Sequence, residues 1–112
     1  MRVSWSSGTP TFFPHPTAAP AARVLGITFE DVDYFNNEEL QLNRMLSSQA
    51  TAAGDGYVDA YTPSISHDAC AARSIRWIEP LLPAAPAAAM HPNAVGQQGI
   101  ADAVERAIAR AG

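Results

Sequence analysis

Hydrophobic positions along this chain fall into one long helical stripe, one short apolar and aromatic run and a final amphipathic stretch, separated by segments without a period. The long stripe begins after Thr28, where Thr28-Phe29-Glu30-Asp31 sets a capping hydroxyl before two carboxylates that suit the positive end of a helix. Val32, Phe35, Leu42, Met45, Leu46 and Ala53 then recur near helical spacing, with Asp33, Glu38, Asn43 and Ser47 mostly off the stripe, and Gly54 is a stop. Tyr57-Val58-Asp59-Ala60-Tyr61, between Gly56 and Thr62-Pro63, is expected to be one strand. His67 to Ile78 is expected to form a short helix capped by Asp68, with Ala71, Ile75 and Ile78 inward and Arg73 and Arg76 in water. The chain closes with Ile100, Val104, Ala107 and Ile108 on one face and Asp102, Glu105, Arg106 and Arg110 opposite, an amphipathic helix whose apolar side needs a surface to cover.

Two segments have no such pattern. Residues 1–23 hold four prolines and no apolar period, and are expected to be an irregular, Pro-rich leader. Arg2 precedes no continuous apolar region, so the leader does not read as a secretory signal; the compartment is left open. Residues 79–90, with three prolines in twelve positions, are expected to cross irregularly and to deliver His91. Helix, strand, loop and helix is the rhythm of an α/β unit, yet one strand cannot cover two amphipathic helices. Strands are missing from this reading, and no internal repeat supplies them.

Charge and composition narrow the function classes. A net charge of −4 with scattered Lys and Arg gives no basic footprint, which argues against nucleic acid. The longest Ala-rich run is broken by Pro83 and Pro86, so nothing nears the ~20 apolar residues that span a bilayer. A single cysteine, Cys70, excludes an internal disulfide framework and a multi-cysteine zinc site. His67-Asp68 with Cys70 and His91 matches no standard metal spacing, so a loop and helix cap is preferred there, and no metal or cofactor is expected. At 112 residues the core must be modest.

The block that carries chemistry is His91-Pro92-Asn93-Ala94-Val95-Gly96, followed by the last helix from about Gly99. In order and spacing it resembles the final block of the SGNH hydrolases, the GDSL esterases and lipases. The upstream pieces resemble one actinobacterial-type branch: Leu42-Asn43, Tyr57-Val58-Asp59, Ser64 to Cys70, and Arg76-Trp77. The resemblance covers roughly residues 24–112. It implies a flavodoxin-like, doubly wound parallel sheet of which this is the C-terminal fragment, without its first three strands. It also implies a carboxylic ester hydrolase acting on small ester or lipid substrates, with His91 as the base that takes a serine proton. That role suits imidazole, the side chain that ordinarily titrates nearest neutral pH. Pro92 would fix the backbone after His91, and Asn93 would cap the turn into the helix.

Departures from the pattern shape the expectation further. Many family members place an Asp three residues before the histidine; here that position is Ala88, and the resemblance to members that use a main-chain carbonyl instead implies a Ser-His dyad with the Ala88 carbonyl holding the ring. Glu79 is the weaker candidate for that role. No Gly-Asp-Ser block and no Gly-x-Asn-Asp block precedes the helix, and Ser4, Ser6 and Ser7 beside Gly8 follow no apolar strand that would aim them as nucleophiles. Without nucleophile and oxyanion donors, the latter alone worth ~10²–10³ in rate, the isolated chain is expected to be nearly inert. A gene fragment, an alternative start or a frameshift near Val24 would each explain the leader. Cys70, whose partner in the resembled branch lies upstream, would be a free thiol. The rival reading is a non-catalytic interaction module that associates, with itself or a partner, through its uncovered sheet.

Overall fold

The computed structural model describes residues 4–14 and 28–112 of the chain. Its elements are β1 (Trp5–Ser7), α1 (Phe29–Ala53), β2 (Gly56–Val58), α2 (Tyr61–Ser64) and α3 (Ala94–Ala111). Helix α1 starts where its caps dictate. The Thr28 hydroxyl accepts the Asp31 N–H at 3.2 Å while the Asp31 carboxylate accepts the Thr28 N–H at 2.9 Å, a reciprocal box that satisfies two otherwise unpaired donors. It ends at Gly54, whose φ of 76° is the left-handed conformation that returns its N–H to the carbonyls of Ala50 and Thr51.

Of the apolar stripe on α1, only Val32 is buried. Val32, Asn36, Glu39, Asn43 and Ala50 turn inward, whereas Phe35, Leu42 and Met45 are 45%, 40% and 50% exposed. The reason is the partner: this face grips a backbone. Asn43 accepts the Thr9 N–H at 2.7 Å and donates to the Thr9 carbonyl at 3.2 Å, and Asn36 donates to the Pro14 carbonyl at 2.9 Å. Segment 8–14 has no regular ladder of its own, so side-chain amides on α1 satisfy its buried peptide groups.

Segment 8–14 carries no helix or strand, in keeping with an irregular leader, but the residues just before it differ from that expectation. Trp5–Ser7 is a strand, paired in parallel with β2 in the register Trp5 to Gly56, Ser6 to Tyr57 and Ser7 to Val58. The Gly56 N–H donates to the Ser4 carbonyl and the Gly8 N–H to the Val58 carbonyl, both at 3.0 Å. Residues 15–23 of the leader, and the boundary near Val24, lie outside the described residues. β1, α1 and β2 thus form one strand–helix–strand crossover, the connection that parallel strands require. Where a strand was expected through Tyr61, the chain leaves β2 at Val58; the Asp59 carboxylate accepts the N–H groups of Tyr61 and Thr62 and starts α2 instead.

Residues 67–78 are turns, not the expected short helix. Asp68 caps only locally, taking the Cys70 N–H at 2.8 Å, and the Ala69 N–H is drawn to the Phe12 carbonyl at 3.2 Å, which pulls the backbone out of a helical path. Segment 79–90 is irregular, as its prolines require. Helix α3 starts at Ala94, five residues earlier than the apolar pattern placed it, because Asn93 accepts the Gly96 N–H at 2.9 Å. Ala103 is its most buried apolar side chain, with Ile100, Val104 and Ala107 partly covered and Ile108 exposed. Beside the buried apolar group (Val32, Val58, Ala60, Trp77, Ile78 and others) lie Thr11, Asn36, Glu39, Asn43, Ser64, Asp68, Glu79 and Asn93. The interior therefore depends on polar groups as much as on apolar area, and these are bonded save for the buried Asn36 Oδ1, which has no partner among the described residues.

Candidate functional site

The histidine loop is built by a small antiparallel clasp. Ile78 faces Pro92 in an isolated bridge. Around it the Glu79 N–H donates to the His91 carbonyl at 3.0 Å, the Met90 N–H to the Glu79 carbonyl at 3.0 Å, and the Asn93 N–H to the Trp77 carbonyl at 2.8 Å. Pro92 lacks a donor, and the clasp asks none of it; its half-buried ring holds the backbone between His91 and Asn93. Met90 stands at φ 56°, in the left-handed region that a side chain enters at a cost of ~1–2 kcal/mol. The clasp on both sides holds it there, directly before the histidine.

Under the clasp lies Glu79, whose side chain is 1% exposed. Its carboxylate takes the Arg76 guanidinium through Nη2 at 2.8 Å and Nε at 3.3 Å, the Ala84 N–H at 2.9 Å and the Asn93 amide at 3.0 Å. Burial pushes its pKa up, but the bonds from Asn93, Ala84 and Arg76, with the guanidinium's charge, outweigh that and hold it at about 2. Asn93 is the hub: one amide hydrogen goes to Glu79, the other to the Arg76 carbonyl at 2.9 Å, and its oxygen caps α3. Loop 76–84 and the start of α3 are thus joined at one buried side chain.

Helix α3 approaches this loop closely through its glycines. A Cβ at Gly96 would lie 2.9 Å from the Trp77 carbonyl carbon, and one at Gly99 2.6 Å from the indole ring. Only hydrogen at those positions lets the helix lie on Trp77, which is buried and stacks on His67 with ring centres 5.1 Å apart. His67 is itself fixed by a 2.6 Å bond between Nδ1 and the Ile75 carbonyl.

His91 is exposed, and its Nδ1 lies 2.8 Å from the Ala89 carbonyl. A carbonyl only accepts, so this bond requires the proton on Nδ1 and leaves the Nε2 lone pair free to take one. The ring is therefore held by a main-chain carbonyl, but not that of Ala88: the Ala88 carbonyl accepts the His91 backbone N–H at 3.2 Å, one residue away from the expected role. The tight turn at Met90 accounts for the shift. Glu79 does not orient the imidazole, because its oxygens are committed to Arg76, Ala84 and Asn93.

The hydroxyls of Ser4, Ser7 and Ser64 bond to Asp55, the Gly8 carbonyl and the Tyr61 carbonyl, none of them to His91. Cys70 is a free, half-buried thiol pushed up by burial and by the charge of Asp68, which is the opposite of what a reactive thiolate needs. Among the described residues no three His, Cys, Asp or Glu side chains gather as metal ligands, and no helix is long and apolar enough to cross a membrane. Reading the sequence missed the Arg76–Glu79–Asn93 network. The available signal was Arg76 three residues before a carboxylate set between Ile78 and Pro80, since a carboxylate in an apolar stretch needs a counter-charge within reach.

The chain is similar to Lipase 2 of Streptomyces coelicolor, with 38% identity over 87 residues that make up 77% of this chain and 30% of that protein. No family model and no solved structure matches it. The likeness supports a lipase or esterase relationship, and the chain spans about 30% of the length of that relative.

Proposed function

We propose that this chain carries the histidine-bearing part of an SGNH-type serine ester hydrolase, with His91 as general base and the Ala89 carbonyl holding its ring. One observation carries the reading: an exposed imidazole whose Nδ1–H is committed to a main-chain carbonyl, so that Nε2 is the nitrogen left to accept a proton. Similarity to Lipase 2 supports the ester as substrate class. In this reading Nε2 takes the proton from a serine Oγ as that oxygen attacks the ester carbonyl carbon, and returns it to the departing alcohol oxygen as the tetrahedral adduct collapses. Water repeats the cycle on the acyl-enzyme. No Gly-Asp-Ser block stands in these 112 residues, so serine and oxyanion donors are assigned to another segment. The parent fold is taken to be the doubly wound parallel sheet, with β1 and β2 as two of its strands.

The test is a chimera in which the matching 87 residues of this chain replace their counterparts in Lipase 2, assayed with p-nitrophenyl butyrate beside this chain alone. We expect no turnover from the chain alone and turnover from the chimera that His91→Ala reduces at least ~10³-fold, the scale of losing a catalytic base. An inactive but folded chimera, or activity indifferent to His91→Ala, would overturn the assignment.

A further inference from the structure

Away from His91, a second feature is independent of the ester-hydrolase reading. Segment 8–14 and α1 line an open hollow of about 420 Å³, formed chiefly by Phe12, Phe13, Phe35, Leu42, Glu38 and Glu39. Its volume falls in the range of small-molecule sites. The rings are held in place: Phe13 and Phe35 stack with centres 5.2 Å apart at 15°, and Tyr34 packs edge-on against Phe35 at 5.6 Å. Phe35 is thus fixed although it is exposed. Glu39 lies nearly covered, and among the described residues its two oxygens accept long bonds alone, 3.2 Å from the Thr9 hydroxyl and 3.4 Å from the Phe12 N–H. A carboxylate has about four lone-pair positions, so half of its acceptor capacity is unused. Glu38 adds a second carboxylate at the exposed side. Among the described residues, no Lys, Arg or His lines the hollow.

We infer that this hollow is a binding site for a small organic cation, an ammonium carrying apolar substituents. Ring faces attract such a cation electrostatically, and its carbon substituents bury against Phe12, Phe13 and Leu42. Glu39 gives it the counter-charge, and the cation gives Glu39 one that no described residue supplies. Burial pushes the Glu39 carboxyl up to about 7 despite the Phe12 and Thr9 bonds, as befits a buried acid with no cation beside it among the described residues. A purely apolar occupant fits the rings but leaves the remaining acceptor capacity of Glu39 unmet.

Choline and its neutral isostere 3,3-dimethylbutan-1-ol separate charge from shape. Titrated into the full chain and followed by NMR shifts of the phenylalanine rings, choline is expected to bind about tenfold more tightly than the alcohol, the factor that ~1.4 kcal/mol of charge recognition gives. Glu39→Gln should abolish most of that preference, and Phe35→Leu, at an exposed position that does not endanger the fold, should weaken choline about fivefold. Equal binding of the two probes, no binding of choline, or choline binding unchanged in both variants would each overturn the proposal.

Discussion

Replacing Glu79 by alanine removes the acceptor shared by Arg76, Ala84 and Asn93. Breaking a fully buried ion pair costs ~3–5 kcal/mol, because the surviving charge keeps its desolvation penalty. Here the Arg76 side chain is 11% exposed and recovers some water, while the Ala84 N–H loses its acceptor and the Asn93 amide keeps only the Arg76 carbonyl. A loss of about 2–4 kcal/mol at pH 7 follows. Glu79→Gln, which retains one acceptor oxygen and the volume, should lose less. The pH dependence has a definite sign. The folded carboxyl sits at about 2 against an ordinary 4.5, so on acidification the unfolded chain takes up the proton first. The contribution of Glu79 is complete above pH ~5 and disappears as pH falls from 4.5 toward 2; the full gap is worth ~3 kcal/mol, and water reaching its partly exposed partner Arg76 reduces it to about 1–3 kcal/mol. Urea unfolding, followed by fluorescence of Trp5 and Trp77 at several pH values, reads both effects. A Glu79→Ala protein within ~0.5 kcal/mol of the parent at pH 7, or a Glu79→Gln protein with the parent's slope between pH 5 and 2, would refute the reasoning.

Two further perturbations probe the helix seat and the hollow. Gly96→Ala meets the Trp77 backbone and should cost about 2 kcal/mol or more in urea unfolding; Gly99→Ala meets only the indole, which can tilt, and should cost less and weaken the His67–Trp77 stack seen in ring-current shifts. Glu39 has the opposite sign to Glu79. Its folded value of about 7 means the folded chain keeps a proton that the unfolded chain has lost, so stability is highest below pH 4.5 and declines as pH rises to 7, by about 1–2 kcal/mol after screening. In Glu39→Gln that decline should vanish; a parent whose unfolding free energy is flat from pH 4.5 to 8 would contradict the burial of this carboxylate.

Where local chemistry alone decides, the residues could be read directly. Thr28 and Asp31 start α1, Gly54 ends it in a left-handed turn, and Asn93 caps α3, each through bonds reaching no more than four residues. The block around His91 is distinctive enough to single that residue out, and the family resemblance implied a main-chain carbonyl as its ring partner, which is the kind of group its Nδ1 meets. The particular carbonyl could not be read, since the turn at Met90 depends on the clasp with Glu79, which is set by tertiary pairing. Helix α1 misled for a plain reason: hydropathy identifies faces that seek apolar partners, and this face seeks the peptide groups of Thr9 and Pro14. Strand β1 was illegible because Trp5-Ser6-Ser7 has no period to read, and its pairing partner is distant in sequence. Turns replaced the expected 67–78 helix because bonds to residues as far off as Phe12 outweigh a weak helical preference.

The crossover of β1 to β2 through α1 has a kinetic meaning. Ser4 and Asp55, hydrogen-bonded at the start of the sheet, are 51 residues apart, whereas Asn93 and Glu79 under the histidine loop are 14 apart. Closing the longer span costs more chain entropy, and the gain arrives only after α1 has formed to bring its ends together. The histidine loop can therefore assemble early and alone, while the sheet waits on the helix. Amide exchange should then divide the molecule by contact range, with the β1 N–H groups opening in events that leave the Glu79–Asn93 clasp closed.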